Sequence, residues 1–187
     1  MNYCLDISSY FNHKLFESEL WDKKEELEKK KYYGIPHTMD IHVINKDLPD
    51  RYYDDTIIHE AIKDSLYDNI MCDGQRIEIV PRNIRGITIL GFCESGTVRD
   101  EIVLHGNGDD IIVPIIMKPF HSDSLKGLND VGDNKNCQLA FYLDGDDGQK
   151  HSVYYWKTAF EANEKISSIE LPVNLSIHIL EISINVL

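Results

Sequence analysis

The spacing of apolar residues changes near Gly74, from helical periodicity before it to short alternating runs after it. In the first part, the segment 16–32 places Phe16, Leu20 and Leu27 on one helical face and surrounds them with charged residues. A helix buries such a stripe against a core and exposes its other side to water. We therefore expect a first helix over residues 16–32.

A second helix is expected shortly before the change in pattern. Ile58, Ile62 and Leu66 follow one another at intervals of four, so they share one helical face, and Ile70 widens that face. The pair Asp73-Gly74 supplies a turn at which this helix can end.

Runs of alternating apolar and polar residues predict β-strands, because side chains of a strand point to opposite faces in turn. Gly, Asp and Asn separate most of these runs, and turn residues at such spacing are typical of antiparallel sheets. The firmest hairpin spans residues 139–155, around the sequence DGDDG. The expected strands lie at residues 3–7, 39–44, 76–80, 86–93, 97–105, 111–117, 137–143 and 152–156.

Two irregularities in the pattern of apolar residues predict the positions of particular strands in the sheet. Pro114 interrupts the apolar run IIVPIIM and has no amide hydrogen, so this strand belongs at an edge or a bulge. In the C-terminal run the apolar residues shift from odd to even positions after Ile179. Because a regular strand cannot keep both sets on one face, we expect a bulge near Ile179 and Leu180 in a central strand.

These patterns together predict an α+β fold, with residues 1–187 forming a single domain. Two helices, in a helical part at about residues 14–74, are expected to pack on a mainly antiparallel β-sheet or small sandwich formed largely by residues 75–187. An apolar content of 42 % is ordinary for a globular protein and is sufficient for a hydrophobic core.

The net charge of the chain indicates which kinds of macromolecule it can bind. The 19 Lys and Arg against 32 Asp and Glu give −13, and such a surface repels nucleic acid, which is bound through cationic side chains. The charge is uneven, because residues 100–147 hold ten acidic residues and three lysines, net −7. Residues 75–99 hold four arginines and two glutamates, net +2. We expect a basic protein partner and no nucleic acid.

Signals for membranes are absent from the sequence pattern. No run approaches 18 consecutive apolar residues, and the first fourteen residues lack a basic start followed by an apolar stretch. We expect a cytoplasmic protein without membrane contact, and the pattern leaves its oligomeric state open.

Several short motifs resemble cofactor or catalytic sites but lack a required residue. His59-Glu60 begins like a zinc-protease helix, yet Lys63 stands where the second histidine belongs. The four cysteines contain no close pair, since the nearest two, Cys72 and Cys93, are 21 positions apart. We expect neither a metal site nor a cofactor.

Three glycine- or aspartate-rich segments are interpreted as turns. Residues 106–110 match one copy of a calcium-binding repeat that needs neighbouring copies, and residues 144–155 lack the later ligands of an EF-hand, which leaves only weak calcium binding open. Residues 91–96 lack the glycine spacing of a nucleophile elbow and are expected to form a hairpin turn. No residue is therefore assigned a catalytic role.

The leading functional hypothesis is an acidic protein-binding module that occupies a basic partner, a mode of action typical of immunity proteins and antitoxins that block a toxin domain. Acidic turns would steer a cationic surface toward the chain, and aromatic residues would anchor it. The candidate contacts are Asp109, Asp110, Asp144, Asp146 and Asp147, with Tyr52, Tyr53 and Tyr154 as anchors.

Two alternatives belong to other classes. In the first, an arginine-rich anion site serves a small-ligand binder or an enzyme, with His105 or His121 in the same cleft. In the second, the chain is an assembly subunit that pairs through the IIVPIIM edge strand. The arginines of the anion site would be Arg76, Arg82, Arg85 and Arg99.

Overall fold

A computed structural model describes residues 2–16, 32–35, 41–43, 67–94, 96–122, 136–144, 150–160 and 165–186. Within this part of the chain, 77 % of residues are in β-strands and no helix has seven or more residues. The pairing is almost entirely antiparallel. None of the helices in the described part is long and apolar enough to cross a membrane.

Thirteen strands and one short 3-10 turn, Ser8–Tyr10, make up the described elements. The strands are β1 Asn2–Cys4, β2 Lys14–Phe16, β3 Tyr32–Ile35, β4 Ile41–Val43, β5 Ile70–Asp73, β6 Arg76–Cys93, β7 Val98–Gly106, β8 Ile111–Met117, β9 His121–Ser122, β10 Cys137–Asp144, β11 Lys150–Ala159, β12 Lys165–Glu170 and β13 Val173–Val186.

The expected α+β class is wrong, because the described chain is a β protein. Most of the first expected helix, residues 17–31, lies outside the described residues, but its two ends do not. Phe16 closes β2 and Tyr32 opens β3, and these two strands pair in parallel. The segment 44–66, which holds most of the second expected helix, also lies outside the described residues.

The C-terminal end of the second expected helix is strand instead. Ile70 and Cys72 are fully buried while Met71 and Asp73 are more exposed, which is the period of two that a strand shows. In β5, Ile70 pairs with Ile179 of β13. Ile70 fits either period, and tertiary pairing decided between them.

Strand β6 is the long central strand that pairs with β11, β12 and β13. It runs 18 residues without interruption and so joins two strands that the sequence pattern separates, 76–80 and 86–93. Its first half, residues 76–83, pairs with β12, and its second half, residues 84–93, lies between β13 and β11.

This shared strand divides the sheet into two wings. The first wing contains the second half of β6 with β11, β10 and β4 on one side and β13 on the other. The second wing contains the first half of β6, followed by β12, β7 and β8. Buried residues of both wings belong to one hydrophobic cluster, whose largest side chains include Trp156, Tyr154, Phe92 and Phe120.

The expected irregularity in the C-terminal strand is confirmed. The register of β13 against β6 shifts between Ile179 and Glu181, so that Ile177 and Ile179 before the shift and Ile182 after it are all fully buried. The strand is also central, since β6 flanks it on one side and β1 and β5 flank it on the other.

Two further expectations about turns and edges have opposite outcomes. Pro114 does lie in an edge strand, because β8 ends the strand order of the second wing. The expected hairpin turn at residues 91–96 is wrong: β6 and β7 are not paired, and the connection passes from the first wing to the second. Gly96, with φ of 65°, supplies the left-handed backbone that this crossing uses.

Gly91 provides a test of the close pairing between β6 and β13. A Cβ atom added at Gly91 would overlap the backbone carbonyl oxygen of His178, which cannot move without separating the strands. We expect Gly91→Ala to lower the free energy of unfolding by about 3 kcal/mol, the upper end for an overpacked core. Urea denaturation measures this difference.

The matched control is Gly96→Ala, whose Cβ would meet nothing within 4 Å and is disfavoured only by its positive φ. It should cost about 1 kcal/mol. Equal effects of the two substitutions would contradict the close approach at Gly91.

Candidate interaction surface

The second wing has one face in the core and one outer face. Along β7, Ile102 and Leu104 are fully buried, whereas Glu101 and Arg99 are exposed and His105 is partly exposed. This alternation follows from the pleat of the strand, which directs neighbouring side chains to opposite faces. Three of the four outward positions, those of Arg99, Glu101 and His105, are polar, so this face of β7 meets water.

The strand register places the outer-face residues in rows. Because directly opposed side chains of paired strands are neighbours, each row is a set of adjacent groups. The rows are Arg76, Glu170, Val103 and Ile112; Glu78, Ser168 and His105; Glu101 and Pro114; and Arg99 and Ile116. We call this set, together with Asp109 and Asp110 of the β7–β8 turn, the outer face.

His105 joins two carboxylates of the outer face. Its Nδ1 lies 2.7 Å from Asp110 Oδ1 and its Nε2 lies 2.9 Å from Glu170 Oε2. The ring is 16 % exposed, whereas the carboxylates are 57 % and 41 % exposed. This bridge ties the β7–β8 turn to β12. Since both ring nitrogens contact carboxylates, neither is directed at a substrate as a general base would be.

Arg76 forms a second polar contact on the same face. Its Nε donates to Ser168 Oγ at 2.8 Å and lies 3.3 Å from Glu78 Oε1. Both charged side chains are more than half exposed, so solvent screens the ion pair and it adds little stability. The contact instead fixes the direction of the guanidinium.

An apolar group lies among these charges. Ile112 is 60 % exposed, although isoleucine is usually buried, and Pro114 on the same strand is also exposed. Asp109 and Asp110 precede Ile112, and Glu101 lies opposite Pro114. The outer face therefore combines exposed apolar residues on its edge strand with carboxylates in the preceding turn and on the neighbouring strand.

The structure separates the four arginines of the anion-site hypothesis. Arg76 and Arg82 oppose Glu170 and Ile166, which lie near opposite ends of β12. The Arg82 guanidinium lies 4.2 Å from the centre of the Tyr3 ring, a cation–π contact.

The other two arginines have different neighbours. Arg85 is exposed at the middle of β6, and its backbone carbonyl accepts the amide of Phe160. Arg99 is exposed on β7, opposite Ile116. Three of the four arginines thus lie on β6 and one lies on β7, and each has different neighbours.

The candidate partner contacts are placed as follows. Asp109 and Asp110 are exposed in the β7–β8 turn, and Asp144 ends β10, where it pairs with Lys150 of β11. Asp146, Asp147, Tyr52 and Tyr53 lie outside the described residues.

The candidate partner anchor Tyr154 lies in β11, and the candidate cleft histidine His121 lies in β9. Tyr154 is 1 % exposed, and its ring belongs to the core. Burial raises the pKa of its hydroxyl to about 12. His121 lies in β9, opposite His151 of β11.

A buried polar network, which sequence reasoning missed, lies where the N-terminal segment meets β5 and β13. Lys14 Nζ and Asp68 Oδ2 form an ion pair of 3.1 Å, with side chains 0 % and 2 % exposed. The other oxygen of Asp68 accepts the backbone amide of Leu15 at 2.8 Å. Buried charges are costly unless paired and hydrogen-bonded, and here both conditions hold.

Asn69 is the hub of this network. Its Nδ2 donates to Asp68 Oδ1 at 2.8 Å and lies 3.1 Å from His13 Nδ1, while its Oδ1 accepts from His178 Nδ1 at 3.0 Å. The His178 ring stacks on Phe92, and its burial lowers its pKa to about 4. Residues 13, 69 and 178 are far apart in sequence, so no local pattern signals the network.

The buried thiols show no sign of a reactive site. Burial raises the pKa of Cys93 to about 11 and that of Cys137 to about 12, and it also raises the pKa of Cys72. A protonated thiol is a poor nucleophile. Within the described ranges, His, Cys, Asp and Glu form no group of three or more that could hold a metal ion.

The sequence matches no protein-family model and no curated protein.

Removing one partner of the buried ion pair tests the network. Lys14→Met leaves the Asp68 carboxylate buried without its ammonium, and we expect a loss of about 3–5 kcal/mol in the free energy of unfolding. Lys14→Met/Asp68→Asn removes both charges and keeps an oxygen for the Leu15 amide, so it should recover most of that loss. A double variant as unstable as the single one would contradict this account.

The low pKa of His178 predicts a dependence of stability on pH. The folded-state pKa of about 4 lies below the ordinary value of 6.5, so the unfolded chain binds more protons between these values. His178 therefore contributes its full stabilisation above pH 6.5, and this contribution is lost as the pH falls through 4. A shift of this size corresponds to about 3 kcal/mol.

The measurement compares wild type with His178→Gln, which cannot titrate, by urea denaturation across this pH range. The difference in unfolding free energy should shrink toward acid by about that amount. A difference that stays constant would show that His178 is not buried in its neutral form.

Proposed function

We propose that this chain is an acidic protein-binding module that occupies a basic protein surface, and that the outer face of the second wing is its contact surface. The observation that carries the proposal is the exposure of Ile112, 60 %, on the strand that directly follows the exposed Asp109 and Asp110 of the β7–β8 turn.

The exposed apolar residues of β8 support protein binding. Protein interfaces typically have an apolar core, from which most of the binding energy comes, and a polar rim that excludes water. Ile112 and Pro114 match the core, and Glu101, Asp109 and Asp110 match the rim. The sheet behind them is rigid, because β7 is paired on both sides, so little ordering would be needed on binding.

The charge of the chain supports a basic partner. A net charge of −13 attracts a cationic surface over long range and raises the association rate, while it disfavours acidic partners. The His105 bridge holds Asp110 and Glu170 in fixed positions on this face. A partner that presents Lys or Arg beside an apolar pocket would fit both features.

We extend the proposal to a class of activity, inhibition of a basic toxin domain by covering it, as immunity proteins and antitoxins do. The support for this extension is the strong negative charge of the chain, which suits a basic toxin domain. Such a module needs no catalysis, because occupation of the partner is sufficient for its effect.

The charge contribution can be tested on the rate of binding. The chain is used to capture proteins from an extract of its source cells, and the association rate of the captured basic protein is then measured. Asp109→Asn/Asp110→Asn should lower that rate about tenfold at low salt, because steering depends on these charges. Raising the salt from about 0.05 M to about 0.5 M should reduce the difference.

Asp73→Asn/Glu94→Gln is the matched control, since it also removes two charges and both residues are exposed outside the outer face. It should leave the association rate nearly unchanged. Ile112→Ser should act mainly on the dissociation rate, as an anchor does. Capture of no basic protein, or an association rate that is indifferent to salt, would refute the proposal.

A further inference from the structure

Strand β8 has a free edge in the described part of the structure. The second wing ends with β8, whose only strand partner there is β7. A free edge presents unpaired backbone groups that can pair with a strand from another molecule. The sequence of β8, IIVPIIM, contains no charged residue and has high β-propensity on both sides of its proline. This composition favours association between copies.

The pairing of β8 with β7 shows which way the nitrogen of Pro114 faces. All seven residues from Ile111 to Met117 have a partner in β7, without a register shift at Pro114. A ladder that required an amide hydrogen from Pro114 would be interrupted there, because proline has none. The nitrogen of Pro114 therefore faces away from β7, toward the free edge.

Alternation along the strand identifies the other backbone groups on that edge. Ile112 and Ile116 share the orientation of Pro114, so their amides face outward, while the amides of Ile111, Val113, Ile115 and Met117 face β7. Of the three outward positions in β8, the middle one has no hydrogen to donate. Its ring carbons also occupy the space where an added strand would place its backbone.

We propose that Pro114 closes the β8 edge to strand addition by a second copy of this chain. Two copies would pair most simply as antiparallel β8 strands, in which the two prolines would lie near the centre of the new ladder. Many edge strands are protected from pairing by charged residues, but β8 has none. In β8, Pro114 provides this protection. This inference does not depend on the proposed function, and it leaves the outer face, not the edge, as the route to partners.

Substitution of Pro114 tests the inference. Pro114→Val restores an outward amide and keeps an apolar side chain, and valine suits a strand. Sedimentation velocity over a range of concentrations measures the association. We expect the mass of the variant to rise with concentration toward twice that of the wild type, whereas the mass of the wild type should stay constant. In the associated variant, the amides at 112, 114 and 116 should exchange hydrogen more slowly than in the same variant at concentrations where it is monomeric.

Three further proteins make the result decisive. Ile116→Val changes a side chain of the same edge without adding an amide, and it should sediment like the wild type. Ile112→Lys added to Pro114→Val should reverse the association, because a charge on the edge repels its counterpart. Pro114→Thr provides the same comparison if the valine variant does not fold.

A folded Pro114→Val or Pro114→Thr protein that sediments like the wild type would overturn the inference. A wild type that itself associates, with slowed exchange at the amides of 112 and 116, would also overturn it.

Discussion

Strand β6 pairs along its whole length with β11, β12 and β13, and this pairing positions both wings of the sheet. Because one strand serves both wings, the position of the second wing follows from the direction in which β6 leaves the first. The close approach of Gly91 to the backbone of β13 fixes one end of that strand, and the pairing of Arg76 with Glu170 fixes the other. The outer face is then set by registers that start from β6.

The two polar clusters have different physical roles. The network around Asn69 is closed to solvent, and its hydrogen bonds satisfy nearly every charged and polar group in it, as a buried network must. It holds the N-terminal segment against β5 and β13. The carboxylates around His105 remain accessible at 57 % and 41 %, so they are available to another molecule. Accessibility, and not the number of charges, distinguishes the candidate surface from the structural network.

Local pattern in the sequence predicts the β part of this fold well. The strand 111–117 has the expected bounds, and both the edge position of Pro114 and the bulge after Ile179 follow from simple steric rules. At the end of the second expected helix the prediction was wrong because Ile70 suits a helix and a strand equally, and pairing with Ile179 decides the outcome. Strand β12 was not expected, since its two central serines give no clear alternation. The contact of His105 with Glu170 and the Asn69 network join residues distant in sequence, which no local pattern can reveal.

Carboxyl footprinting can locate the surface that a basic partner covers and so test whether the outer face of the second wing is the contact surface. A carbodiimide reagent labels accessible Asp and Glu side chains with and without the captured basic protein, and mass spectrometry locates the labels. We expect the partner to protect Glu101, Asp109 and Asp110, while Asp73 and Glu94 stay fully labelled. Protection of Asp73 or Glu94 with unchanged labelling of the outer face would contradict it.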